Sequence, residues 1–116
     1  MIGILAIVWA HWFADFILQN DTMAINKSSS NKWLGIHCSV YLWPIFLLGI
    51  IFGGANGILW AAINAIAHFV VDYFTSRGTS SLWKKNERHW FFVLIGFDQA
   101  IHMTILLVTA KYMGVI

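Results

Sequence analysis

The run from Gly57 to Phe74 is long and apolar enough to cross a bilayer, yet it carries Asn64, His68 and Asp72, each four residues from the last. Four residues is about one helical turn, so the three polar groups stack on one helix face. A carboxylate in hydrocarbon costs several kcal/mol unless it is paired, hydrated or bound to a cation. The stripe therefore requires a helix whose polar face meets other polar groups. The same spacing joins His11 to Asp15 and Asp98 to His102.

Composition decides the solvent. Charged residues make up 10% of the chain and apolar residues 59%, against about 25% charged in a soluble domain. Such a chain cannot cover itself with a polar surface, and lipid is its expected environment. The formal net charge of +2 and the lack of a basic run interleaved with aromatics argue against a nucleic-acid partner. Seven tryptophans suit bilayer interfaces. Cys38, the single cysteine, cannot form an intrachain disulfide and reads as a packing residue. The first apolar run lacks a basic leader region and reads as a retained helix.

Four segments reach spanning length: Ile2 to Leu18, Trp33 to Phe52, Gly57 to Phe74 and Trp90 to Tyr112. Pro44 is expected to kink the second. Polar connections are expected from Gln19 to Lys32 and from Thr75 to His89, with a tight Gly53-Gly54-Ala55-Asn56 turn between the middle spans. The fold class is thus an all-α integral membrane protein. It is a single domain, residues 1–116, built as a four-transmembrane-helix bundle with short connections. Lys27, Lys32, Arg77, Lys84, Lys85 and Arg88 all fall in the first and third connections. The positive-inside rule places these in the cytoplasm of an inner-membrane, multi-pass protein with both termini outside.

This topology brings most of the polar groups to one layer in the cytoplasmic half. His11, Asp15, His68, Asp72, Asp98 and His102 are the expected metal ligands. His37 is a further ligand or general base, and Asp98 joins it as a candidate catalytic group. Imidazole and carboxylate suit zinc and similar divalent ions. Inward-facing residues three or four apart on facing helices are how bundles build such sites. One or two ions are expected, zinc foremost. Lys27, Arg77 and Gln19 are the expected substrate or head-group contacts, Tyr41 adjoins His37, and His89 lies at the membrane boundary.

From His11-Trp-Phe-Ala-Asp15-Phe16-Ile-Leu-Gln19, through Lys27, His37 and His68-Phe-Val-Val-Asp72, to Asp98-Gln99-x-x-His102, the chain resembles domain of unknown function 3307, a family of small bacterial and phage membrane proteins. The resemblance covers nearly the whole chain. It implies a four-helix membrane domain with His and Asp at these positions, and it supplies no activity. A looser likeness is to predicted membrane-bound metal-dependent hydrolases. The compact length looks like a phage-encoded or minimal version, which suggests a role in modifying the host envelope or excluding other phages.

The leading expectation is a metal-dependent hydrolase acting on a lipid-linked or phosphoester substrate from the cytoplasmic side. Two other classes fit the same residues. One is a proton or metal-ion conduit with a titratable relay. The other is a non-catalytic phage/host interaction module bound to a host membrane protein, with metal only as a staple. A hydrogen-bonded network of His, Asp, Asn64, Gln19 and Gln99 would also satisfy every group. Membrane lipid is the expected partner, and a bundle this small can form a homo-oligomer.

Overall fold

A computed structural model describes residues 1–116. The chain is all-helical, with no strand. Helix α1 (Ile2–Trp12) runs directly into a π-helical turn (Phe13–Ile17), and α2 (Asp21–Asn26) is short. Helix α3 (Asn31–Lys84) and α4 (Arg88–Tyr112) complete the chain. Both α3 and α4 are long and apolar enough to cross a membrane.

A straight helix of 54 residues would be about 80 Å long, but the longest dimension of the molecule is 44 Å. Helix α3 therefore folds back on itself. The reversal occurs at Gly54, whose φ of 54° is open to glycine and strained for other residues. The two arms, 31–53 and 55–84, lie antiparallel: Gly49 faces Gly57, His37 meets His68, and Arg77 reaches Asn31. At Gly49 and Gly57 the arms touch backbone to backbone, and a Cβ on either would collide with the carbonyl of the other. The expected four-residue turn is thus a single non-helical residue. Pro44 lies within continuous helix, and Gly54 alone in α3 has non-helical dihedrals.

Local chemistry sets the other ends. The Asn20 side chain accepts from the Met23 N–H and begins α2; Ser30 accepts from Trp33 N–H and begins α3. Asn86, at φ 58°, closes α3 in a left-handed cap: Asn86 N–H donates to the Trp83 carbonyl and Glu87 N–H to that of Leu82. Helix α3 thus continues ten residues past Phe74, the expected end of the third span. The segment expected as a polar connection from Thr75 is helical as far as Lys84. Its Thr75, Ser76 and Ser80 extend the polar stripe of Asn64, His68 and Asp72 by the same helical spacing, so polarity there marks a face rather than a loop. The connection expected from Gln19 to Lys32 likewise contains α2.

The apolar core lies towards the Gly54 end, where Ile7, Ile45, Leu48, Trp60, Ala61, Leu106 and Ala110 are buried together. Trp60 has no exposed surface, and its Nε1 donates to the Leu106 carbonyl at 3.1 Å, pinning the second arm of α3 to α4. Gly3 approaches Ile116 and Phe52, and Gly53 approaches Val115, so both termini share this end. The other end carries Lys27, Arg77 and the α3–α4 connection. Burial is partly inverted: ten polar or charged residues are buried, while Ile2, Trp9, Ile51, Ile66, Phe74 and Phe92 are exposed.

Candidate metal centre

Helix α1, the π-turn, both arms of α3 and α4 deliver polar side chains to one layer beside the apolar core, with His11 from α1. The π-turn carries Asp15. The extra residue in its turn is closed by Leu18 N–H donating to the Phe13 carbonyl, and such turns recur at functional sites. The first arm of α3 supplies His37 and Tyr41, the second supplies His68 and Asp72, and α4 supplies Asp98, Gln99 and His102.

At the centre, His37 Nε2 lies 2.9 Å from His68 Nε2, 3.1 Å from Asp15 Oδ1 and 3.2 Å from Asp72 Oδ2. His68 Nε2 is 3.6 Å from Asp15 Oδ1 and 3.4 Å from Asp72 Oδ2. Asp15 and Asp72 complete the group within 4.8 Å. One imidazole proton serves one acceptor well, yet three ligand atoms crowd His37 Nε2. Asp15 Oδ1 is buried with no hydrogen-bond partner, as are the Nδ1 atoms of His37 and His68. A tetrahedral zinc ion with bonds of about 2.0–2.1 Å spaces its ligand atoms by about 3.3 Å. The five separations that involve His37 or His68, from 2.9 to 3.6 Å, bracket that value. The donor set of two imidazoles and two carboxylates therefore fits a divalent ion in both chemistry and size.

Beside it, His102 Nε2 is 3.6 Å from Asp72 Oδ1, and its Nδ1 is 3.3 Å from Asp98 Oδ2. Thr75 donates to Asp98 Oδ1 at 2.5 Å. Gln99 Nε2 donates to Asp15 Oδ2 and Asp98 Oδ2, each at 3.0 Å, while its Oε1 is 2.9 Å from His11 Nε2. His11 Nδ1 is 3.4 Å from the Tyr41 hydroxyl, and the Tyr41 ring stacks on His68 at 3.8 Å between centroids. All six expected ligands and His37 therefore gather here. His11, however, contacts Gln99 and Tyr41 rather than the central four.

The other expected residues separate. Lys27 Nζ bonds Asp72 Oδ2 at 2.9 Å. It is part of the layer rather than of its rim. Its pKa stands above the ordinary 10.5: burial acts to lower it, and the carboxylates of Asp72 and Asp15 outweigh burial. Gln19 lines a cavity of about 490 Å³ that reaches Asp15, Asp72 and Asp98 from the α2 side. Arg77 does not line it; its guanidinium covers the Tyr73 ring and bonds the Tyr73 carbonyl and Asn31. His37 is fully buried and does not line the cavity. Asn64, though on the stripe, bonds the Trp60 carbonyl and Thr109. His89 is exposed against Trp90.

Thr75 and Ser76 are site residues that the sequence reading misses. The signal for them is their position three and four residues beyond Asp72. Thr79, Ser80, Trp83 and Lys84 join them along the cavity wall.

The fold and site define a class: an all-helical chain with two helices of membrane-crossing length and a buried layer of histidine and aspartate. The chain belongs to the protein family of unknown function DUF3307, whose profile matches residues 4–116. No curated protein and no solved structure matches it significantly.

Proposed function

We propose that this is an inner-membrane protein that binds a divalent metal, zinc foremost, and performs hydrolase chemistry on a lipid-linked or phosphoester substrate reached from the cytoplasmic side. The observation that carries the reading is the buried grouping of His37, His68, Asp15 and Asp72, in which Asp15 Oδ1 has no hydrogen-bond partner. Charge supports it as well. Asp15, Asp72 and Asp98 carry three formal negative charges against one from Lys27, a deficit one divalent ion cancels. Unbalanced charge of that size in a low dielectric is expensive.

The membrane assignment rests on α3 and α4, on the apolar α1 and on the exposed aliphatic and aromatic side chains. In this reading α1, the two arms of α3 and α4 are four spans. Lys27, Arg77 and Lys84 are cytoplasmic, and both termini lie outside. The cavity is lined by Lys27, Lys84 and the hydroxyls of Thr79 and Ser80, with Phe16, Ile25, Phe91 and Ile95 as apolar wall. That wall suits an amphiphile with an anionic head. A bound ion would polarise a phosphoryl oxygen there.

The conduit reading has support in the close imidazoles: His37 beside His68, and His68 with His102 at 4.3 Å between ring centroids. Against it, the apolar core of Ile45, Leu48, Trp60 and Leu106 fills the path towards the Gly54 end.

Elemental analysis of tag-free, detergent-purified protein tests the reading. At least one equivalent of divalent metal is expected in the wild type, and His68→Ala and Asp72→Ala should each lose most of it. Less than one tenth of an equivalent, after growth with zinc, manganese and iron, would overturn it.

A further inference from the structure

An ion held by the central four would be closed by its ligand count, although Asp15 and Asp72 line the cavity. The other two members, His37 and His68, do not reach the cavity. An ion with four protein ligands has no position left for a substrate, which is the pattern of structural rather than catalytic zinc. The chemistry of the cavity must then come from elsewhere in the layer.

The neighbouring group, Asp72, Asp98 and His102, offers a second set of ligand atoms. Asp72 turns Oδ2 to the central group and Oδ1 to His102. Asp98 places Oδ2 3.3 Å from His102 Nδ1. Its Oδ1 is held by the Thr75 hydroxyl and its Oδ2 by Gln99, so the carboxylate has a fixed orientation. His102 is 3% exposed, and neither of its ring nitrogens has a hydrogen-bond partner. A neutral imidazole has one lone pair, so one of these two partnerless nitrogens can ligate a cation beside the carboxylates.

We infer that Asp72, Asp98 and His102 form a second divalent-cation site, open to the cavity, and that Asp72 bridges it to the central ion. This rests on the metal reading above and deepens it. Three protein ligands leave coordination positions free, and two of the three, Asp72 and Asp98, line the cavity while His102 does not. A bridging carboxylate is compatible with the separation of about 3.5–4 Å found in two-metal hydrolytic sites. The central ion then orders the bundle, and the second acts on the ligand. With both present the layer carries excess positive charge, which an anionic phosphoester offsets.

Cobalt(II) titration of the metal-stripped, detergent-purified full chain tests this. Four-coordinate cobalt absorbs intensely in the visible, and higher-coordinate cobalt weakly. Two equivalents are expected in the wild type: one giving the intense band, one adding weak absorption. Asp98→Asn and His102→Gln should each bind one equivalent and keep the intense band; helical circular dichroism reports whether they fold. His37→Ala should lose the intense band. Saturation of the wild type at one intense equivalent would overturn the second site and leave the central one standing. Binding of no equivalent would overturn both. Two equivalents retained by folded Asp98→Asn and His102→Gln would also overturn the assignment; if both misfold, wild-type saturation at one intense equivalent still overturns it.

Discussion

Lys27 Nζ lies 2.9 Å from Asp72 Oδ2 across 45 residues of sequence. The contact ties the short helix α2 to the middle of the second arm of α3, and it puts an ammonium on the same oxygen that faces His37 and His68.

Replacing this lysine should therefore act in two opposite ways. In metal-free protein, Lys27→Met leaves Asp72 buried without its cation, at a cost of about 3 kcal/mol. Its zinc affinity should nevertheless rise, because a competing positive charge has gone. Thermal unfolding in detergent and a zinc titration check the two arms; weaker zinc binding would show that Lys27 supports the ion rather than competing with it.

The same pair gives an alkaline signature. The Lys27 pKa is raised in the folded state, so its stabilising contribution is complete below the ordinary 10.5 and is lost as pH rises through the higher folded value. The stability difference between wild type and Lys27→Met should stay constant from neutral pH to about 10 and shrink above it. Unfolding of both proteins across that range provides the check.

Hairpin closure depends on two glycines in different ways. Gly54→Ala keeps the contacts but forces a Cβ into a positive φ, at a cost of about 1 kcal/mol. Gly57→Ala drives a methyl into the Gly49 carbonyl, and the arms must separate. A loss of about 2–3 kcal/mol or more is expected, with the larger drop in unfolding temperature at Gly57.

On the proposed membrane topology, sidedness follows from where the connections sit. In a Cys38→Ala background, Ser29→Cys and Asn86→Cys should react with an impermeant thiol reagent only from the cytoplasmic face. Asn56→Cys, beside the Gly54 reversal, should react only from outside. All three positions are exposed. Labelling of Ser29→Cys and Asn56→Cys from one face would contradict the spanning hairpin.

Two substitutions should leave the metal alone. His89→Ala removes an exposed ring that meets Trp90 edge-on, so metal content and stability should hold. Asn64→Leu breaks the bond to Thr109, costing about 1 kcal/mol with metal content unchanged. Plasma mass spectrometry and thermal unfolding separate the two effects.

The i, i+4 pairs of His11 with Asp15, His68 with Asp72, and Asp98 with His102 make most of the layer legible, because helical periodicity alone brings each pair to one face. Helix existence is legible for the same reason, and hydropathy marks the apolar stretches. What lies beyond the sequence depends on tertiary approach. Lys27 reads as a head-group contact in a basic connection, because nothing local says that α2 folds over Asp72. Arg77 reads as its equal, yet the Tyr73 ring and carbonyl capture it on its own helix. Thr75 and Ser76 read as a connection because hydropathy falls there, although the backbone stays helical. The π-turn has no sequence mark at all, since Phe13–Ile17 would pass as ordinary helix.

The bond from Trp60 to the Leu106 carbonyl has a use outside the chemistry. Trp9, Trp12, Trp43, Trp83 and Trp90 are 46–65% exposed, whereas Trp60 has no exposed surface. Brominated lipid should therefore quench the outer indoles and spare this one. With the other six changed to phenylalanine, the remaining emission becomes an optical gauge of the seam between the hairpin and the last helix. It would be blue and unquenched while the seam is shut, and red-shifted and quenchable once it parts. Assembly in the bilayer can then be followed in real time without an attached dye.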